Sequence, residues 1–222
     1  MQKYSIFNLI KNAFSGHQNW DLAWKDPTPK KEYDVVIIGG GGHGLATAYY
    51  LAKEHNITNV AIIEKGWIGG GNVGRNTTII RSNYMHDDNA LFSEFGMDLW
   101  RKMSQDLNYN VMFSPRGIIN LAHSDAQMNV FARRGNSMRL NGIDAVLLNR
   151  EEVKEIIPMA DFSDNVRFPI FGGLMQPSAG TARHDAVAWG YARQADSMGV
   201  DIIQNCEVTG FDVVSGKIQG VR

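Results

Sequence analysis

The sequence predicts an α/β protein in which a Rossmann-like nucleotide-binding domain is interrupted by an α+β insertion. Three observations predict this. A β-branched run, Tyr33-Asp-Val-Val-Ile-Ile38, leads into Gly39-Gly-Gly-Gly-His-Gly44 and a helix-period segment, Leu45 to His55. A second apolar run, Val60-Ala-Ile-Ile-Glu64-Lys65, follows the turn at Asn56–Asn59 and completes a βαβ unit of about 30 residues. From Val111 to Phe171, short strand and helix patterns alternate without glycine-rich crossovers, as in an α+β segment rather than more doubly wound sheet.

Composition narrows the function classes. The 222 residues are 44% hydrophobic, 20% charged and 10% aromatic, enough for a sizeable core. Twenty-two basic and 23 acidic residues leave a net charge of −1, with no stripe suited to nucleic acid or a membrane surface. The single cysteine, Cys206, excludes an internal disulfide framework and reads as a small core residue. His17, His55, His86 and His123 have no ligand-like spacing, so no metal site is expected. The longest apolar run, Val35–Ile38, is far too short to span a bilayer, and the N-terminus MQKYSIFNLIKNAF lacks a signal-peptide pattern. The expectation is a soluble, cytoplasmic protein.

Taken in order, residues 1–32 form an N-terminal arm. It carries Tyr4, Phe7, Phe14, Trp20 and Trp24 and closes on the connector Asp26-Pro-Thr-Pro-Lys-Lys-Glu32. Tryptophans are costly to leave in water, so the arm is expected to dock on its own chain or on a partner subunit. Helices are expected at Asn89–Asp106, Ser124–Leu140, Arg150–Ile157 and Thr181–Met198, the first with Leu91, Phe92, Phe95, Leu99 and Met103 on one face. Strands are expected at Val111–Phe113, Gly117–Ala122, Ala145–Leu148 and Val200–Gln204. Val208–Val214 and Lys217–Val221 read as a hairpin around Ser215-Gly216. The sequence stops within that hairpin, and an unpaired edge is a liability, so it reads as the N-terminal part of a longer chain. The expected domains are 33–84 with 176–222 for the nucleotide, and 85–175 for substrate and interface.

The nucleotide site follows from the glycines. Gly39 permits a tight turn, Gly41 lets backbone approach a pyrophosphate, and Gly44 lets helix pack on strand. Amides at the helix N-terminus attract the phosphates. Glu64, 25 residues after Gly39, stands where a carboxylate accepts from a ribose hydroxyl and repels a 2′-phosphate. NAD and FAD both suit these residues. The second glycine-rich stretch, Gly66-Trp-Ile-Gly-Gly-Gly-Asn72-Val-Gly74-Arg75-Asn76, favours FAD, because backbone must lie flat against an isoalloxazine ring.

Three strings carry a resemblance: DVVIIGGGGHGLATAYYLAKEH, EKGWIGGGNVGRNTTIIRSNY and HDAVAWGYARQADSMGVDIIQNCEVTGF. They resemble the β subunits of the heterotetrameric sarcosine oxidases, a group within the D-amino-acid-oxidase-like flavoprotein family, over Tyr33 to Arg222. The resemblance implies noncovalent FAD lined by Gly42, His43, Glu64, Lys65, Asn72, Thr78 and the backbone of Val208. For His43 the residues alone leave open a solvated helix-start role. It further implies covalent FMN, carried on His184 through the flavin 8α-methyl group, with Val73 and Arg75 nearby. Arg81 would bind the substrate carboxylate, with Tyr84 as its neighbour, and the oxygen-activating lysine would lie beyond residue 222.

The implied activity is oxidative demethylation of sarcosine to glycine. Hydride goes to FAD, electrons pass to FMN and then to oxygen as hydrogen peroxide, and the one-carbon unit leaves as formaldehyde or methylene-tetrahydrofolate. The implied partners are the alpha, gamma and delta subunits. Two alternatives remain open at this point: a sarcosine or dimethylglycine dehydrogenase-like flavoprotein, and a non-catalytic FAD-binding part of a multisubunit assembly.

Overall fold

The computed structural model describes residues 5–18, 20, 22–163 and 165–222; Tyr4 of the arm lies outside the described residues. In chain order the elements begin with α1 (Ile6–Phe14), β1 (Val35–Ile38), α2 (Gly42–His55) and β2 (Val60–Ile63). A 3₁₀ turn (Asn72–Arg75), β3 (Ile79–Ile80), α3 (Asp87–Asp106), β4 (Ile118–Ala122), α4 (Asp125–Leu140) and β5 (Val146–Asn149) follow. Next come α5 (Arg150–Ile156), β6 (Gly172–Gln176), β7 (Gly180–Thr181), α6 (His184–Ser197), β8 (Asp201–Ile203), β9 (Phe211–Val214) and β10 (Lys217–Val221). Two compact units divide the chain: residues through Val73 with Tyr191–Arg222, and Gly74–Gly190. The divisions therefore fall in the 3₁₀ turn and inside α6, whereas the sequence suggests boundaries after Tyr84 and between Met175 and Gln176, at the end of β6.

The first unit is the nucleotide-type α/β layer. Strands β1, β2 and β8 form a parallel sheet in that order, with Val36 opposite Ala61 and Ile62 opposite Ile202. Central β2 is buried throughout, as a β-branched parallel strand should be. Edge strand β1 alternates half-buried and exposed residues rather than being buried on both faces. Leu45, Ala48 and Tyr49 supply the buried side of α2, and Tyr49 meets Tyr191 edge to face at 5.4 Å. Cys206 and Val208 pack beside Ala61, Ile63 and Ile203. The connector is tied down: Lys25 N–H donates to Asp196 (2.9 Å), and both Tyr33 and Lys30 reach Asp201. Residues 6–14 form a helix that the sequence reading does not anticipate. Ser5 caps it, and Phe14 remains 91% exposed.

The second unit is the α+β segment. Its sheet is antiparallel, with β6 between β4 and β5, and α4 and α5 pack against it. Ser124 caps α4, and Asn149 with Glu152 form a capping box on α5. Ala90, Met138, Ile143 and Leu174 form one core cluster, and Leu148, Val153 and Ile170 another.

Several sequence expectations are corrected here. Val111–Phe113 is not a strand, because Met112 adopts φ 55°, which breaks an extended run. The Thr181 helix starts at His184 instead, since Gly180–Thr181 pairs with Ile79–Ile80 as β7. Helix α3 buries Ala90, Met97 and Met103, whereas Phe92 is 79% and Phe95 64% exposed.

Candidate functional site

The loop after β1 is shaped by its glycines. Gly39 sits at φ +106°, a region that L side chains rarely adopt. A Cβ at Gly44 would stand 2.1 Å from the carbonyl oxygen of Gly39 and 3.2 Å from Ile37 Cγ2. Helix and strand approach too closely there for any side chain. Gly41 differs: a Cβ there would make only ordinary contact, 4.0 Å from Val73 Cγ2. The protein itself has room at Gly41, so a requirement for glycine there points to a ligand's approach.

Gly41 is the N-cap of α2 and offers no side-chain bond to the first-turn amides. Those amides and the helix dipole make an anion site beside glycine backbone. Glu64, just past the end of β2, accepts from Gly40 N–H (2.7 Å, Oε2) and Gly66 N–H (2.8 Å, Oε1). Each carboxylate oxygen keeps a further lone pair for a hydroxyl donor. The carboxylate thus ties both glycine-rich loops to one strand end, and these residues fit a dinucleotide.

Other sequence-predicted residues fall as follows. His43 is exposed on the first turn of α2; Lys65, Asn72 and Arg75 are exposed; Val73 and Val208 are half-buried. Thr78 takes φ 61°, with its N–H donating to Asn76 Oδ1 (2.7 Å) and its carbonyl accepting from Ala182 N–H (3.2 Å).

His184 is the first residue of α6, held by a local frame. Arg183 donates from Nε and Nη2 to Asp185 (3.0 and 2.6 Å), and Arg183 N–H bonds Val111. The guanidinium holds the Asp185 carboxyl below its ordinary value. His184 Nδ1 is buried and has no hydrogen-bond partner among the described residues. Such an atom costs roughly 1–3 kcal/mol unless something bonds it. This orphaned ring nitrogen fits a covalent group attached through the imidazole.

Arg81 follows β3 and lines a cleft of about 300 Å³ with Ile79, Phe92, Phe95, Leu99 and Trp100. Its guanidinium lies 4.8 Å from the Tyr84 ring, and its Nη1 donates to Asn83 Oδ1 (2.5 Å). The segment behind it is anchored by buried polar groups. Ser82 N–H donates to Gln176 Oε1 (3.0 Å), Gln176 Nε2 donates to Ser82 Oγ (2.7 Å), and that hydroxyl donates to Glu94 (2.5 Å). Sequence reasoning misses Ser82, Asn83, Gln176 and Arg134. One signal was present for Arg134: it falls between Phe131 and Met138 at helical spacing, a charge on the buried stripe of α4. Among the described residues no helix is long and apolar enough to cross a membrane.

Comparison with known proteins adds four findings. The family model described as DAO, FAD dependent oxidoreductase, matches residues 34–222. The chain is 61% identical, over 99% of its length, to "Sarcosine oxidase subunit beta" of Rhizobium meliloti (strain 1021), of which it covers 53%. The protein of the same name from Rhodobacter capsulatus is 52% identical over 100% of the chain and is likewise 53% covered. Among solved structures, L-proline dehydrogenase from P. horikoshii superposes with a TM-score of 0.79 at 28% identity, over 87% of this chain and 49% of that one. The chain thus spans about half the length of the curated relatives it matches.

Proposed function

The chain belongs to the DAO family of FAD-dependent oxidoreductases, and from that premise we propose that it is the nucleotide-binding part of a β subunit that oxidises sarcosine to glycine. Oxygen is the terminal acceptor and leaves as hydrogen peroxide, and the one-carbon unit leaves as formaldehyde or methylene-tetrahydrofolate. The observation that carries this reading is the similarity to sarcosine oxidase β subunits, which extends across the chain and includes the arm. The relatives' names as subunits support assembly with further chains, here alpha, gamma and delta, and we place the enzyme in the cytoplasm.

The bound flavins supply the two-electron redox chemistry; the chain's residues bind and orient. Gly39, Gly41, Gly42 and Gly44 give backbone to the FAD pyrophosphate, with His43 at the same helix start. Glu64 accepts from the ribose, while Lys65, Asn72, Thr78 and Val208 line the remainder. His184 offers its imidazole for covalent FMN, one ring nitrogen serving as nucleophile while the other can take a hydrogen bond, and Val73 and Arg75 stand by the same cofactor. Arg81 takes the substrate carboxylate through its planar fork. Tyr84, against the guanidinium, limits its rotation. The domain reading accompanies this one: 33–84 with 176–222 for FAD, and 85–175 for substrate and interface.

The test is acid precipitation of the full-length, assembled enzyme. One flavin stays on the peptide Ala182-Arg183-His184-Asp185 and another is released. In His184→Ala the adduct disappears while noncovalent FAD remains. Release of both flavins from the wild type, or an adduct on another residue, refutes the FMN assignment.

A further inference from the structure

One arginine facing a cleft does not account for how Arg81 is held. Neither Arg81 nor Arg134 has an ion-pair partner among the described residues. Arg81 instead donates to the side chain of Asn83, which is fully buried. Asn83 Nδ2 donates to Asn120 Oδ1 on β4 (2.7 Å), which fixes the amide with its oxygen toward Arg81. The Asn83 carbonyl accepts from both Nε (2.7 Å) and Nη2 of Arg134 on α4. Burial, and then the charge of Arg81, holds the Arg134 guanidinium below its ordinary value. Two cations therefore converge on one neutral residue, and neither is ion-paired among the described residues. That arrangement is unfavourable in the free protein and is relieved when an anion arrives.

We propose that Arg134 is the positioning residue for Arg81 and acts through Asn83. By forking onto the Asn83 carbonyl, it orients the Asn83 amide that holds the Arg81 guanidinium ready for the carboxylate of an N-methyl amino acid. The second positive charge strengthens the preference for a carboxylate-bearing amine over one that lacks the carboxylate. This inference rests on the reading of Arg81 as the carboxylate-binding residue. It gives a role to a half-buried arginine that has no acidic partner among the described residues, where partly burying an unpaired charge is costly.

The test uses the full-length, assembled enzyme with sarcosine, with an N-methylamine lacking the carboxylate, and with acetate as an unreactive anion read by the flavin spectrum. Arg81→Gln is expected to raise KM for sarcosine and Kd for acetate by roughly 100-fold, the loss of a charge-assisted bidentate pair. Arg134→Gln is expected to raise both by about tenfold with kcat nearly unchanged, and Arg134→Lys to recover only part of that loss. Asn83→Asp keeps the backbone carbonyl but gives Arg81 an internal carboxylate, and it should raise both constants without changing flavin content. For the amine without a carboxylate, neither Arg134→Gln nor Asn83→Asp should raise KM.

If Arg81→Gln has no effect, the reading of Arg81 fails and this inference fails with it. If Arg81→Gln acts while Arg134→Gln and Asn83→Asp leave KM at the wild-type value, only the inference fails. It also fails if Arg134→Gln impairs both amines equally, since that marks a merely structural residue. Should Arg134→Gln lose its flavin, Arg134→Lys and Asn83→Asp decide the matter, and wild-type acetate binding in both overturns the proposal.

Discussion

In the glycine loop the bonds that set the shape are short in sequence: Glu64 reaches Gly40 across 24 residues and Gly66 across two. In the Arg81–Tyr84 segment, Ser82 pairs with Gln176 across 94 residues and Asn83 with Arg134 across 51. The first site is made of backbone, where the absence of a side chain is the functional feature. The second is made of side chains that a distant strand and helix hold in place. Backbone sites tolerate almost no change of shape at their tightest point, whereas side-chain sites degrade by degrees as each support is removed.

Gly44→Ala is the change expected to break this contrast most severely. Its methyl group would fall 2.1 Å from a backbone oxygen, so helix and strand must separate. A loss of about 3 kcal/mol or more is expected, at the upper end for overpacking. Gly41→Ala, with its nearest contact at 4.0 Å, should leave folding stability within about 0.5 kcal/mol and weaken FAD binding instead. Denaturant midpoints and flavin content of the full-length variants separate the two. Equal stability losses at both positions would mean that Gly41 serves the fold rather than the ligand.

Glu64→Ala comes next. It removes a charge-assisted acceptor, and FAD affinity should fall by about 1.5–3 kcal/mol. Because the same carboxylate satisfies Gly40 and Gly66, part of the loss should appear as a looser loop. Limited proteolysis of the flavin-free variant reads that component. Flavin retention equal to wild type after gel filtration would refute the ribose assignment.

The same contrast explains what was legible in the sequence. The βαβ unit, its glycines and Glu64 are local, so periodicity and spacing expose them. Strand β6 was not legible: Gly172-Gly-Leu-Met-Gln176 begins with two poor strand formers. The structure gives the reason for them, since a Cβ at Gly172 would lie 2.4 Å from Leu148 O and one at Gly173 2.9 Å from Ile119 Cγ2. Central position in the sheet, not intrinsic propensity, decides those residues. The apolar positions of α3 mislead in the opposite way. Phe92 and Phe95 have helical spacing with Leu99 but line the Arg81 cleft, while the core takes Ala90 and Met97. The Gln176–Ser82–Glu94 and Asn83–Arg134 bonds depend on tertiary contacts alone. Only the arginine within the apolar stripe of α4 hinted at them.

The smallest expected effect lies beside His184. Asp185 occupies the first turn of α6, accepts from Ala186 N–H (2.9 Å), and pairs with Arg183. A carboxylate at a helix N-terminus is favourable, and the Arg183 hydrogen bond holds its pKa below the ordinary 3.8. A depressed folded-state pKa contributes stability that is fully present above the unfolded value, near pH 4, and is lost as pH falls through the folded value. Arg183 is exposed and Asp185 lies half-buried at the surface, so screening keeps the contribution small. Asp185→Asn, which retains an acceptor but drops the charge, should therefore lower the urea midpoint slightly at pH 7 and 0.1 M salt or less. The difference from wild type should shrink in high salt and vanish in strong acid. A deficit that is the same at every pH and salt concentration would show that the carboxylate acts through hydrogen-bond geometry alone. The frame around His184 would then be held as the glycine loop is, by shape rather than by charge.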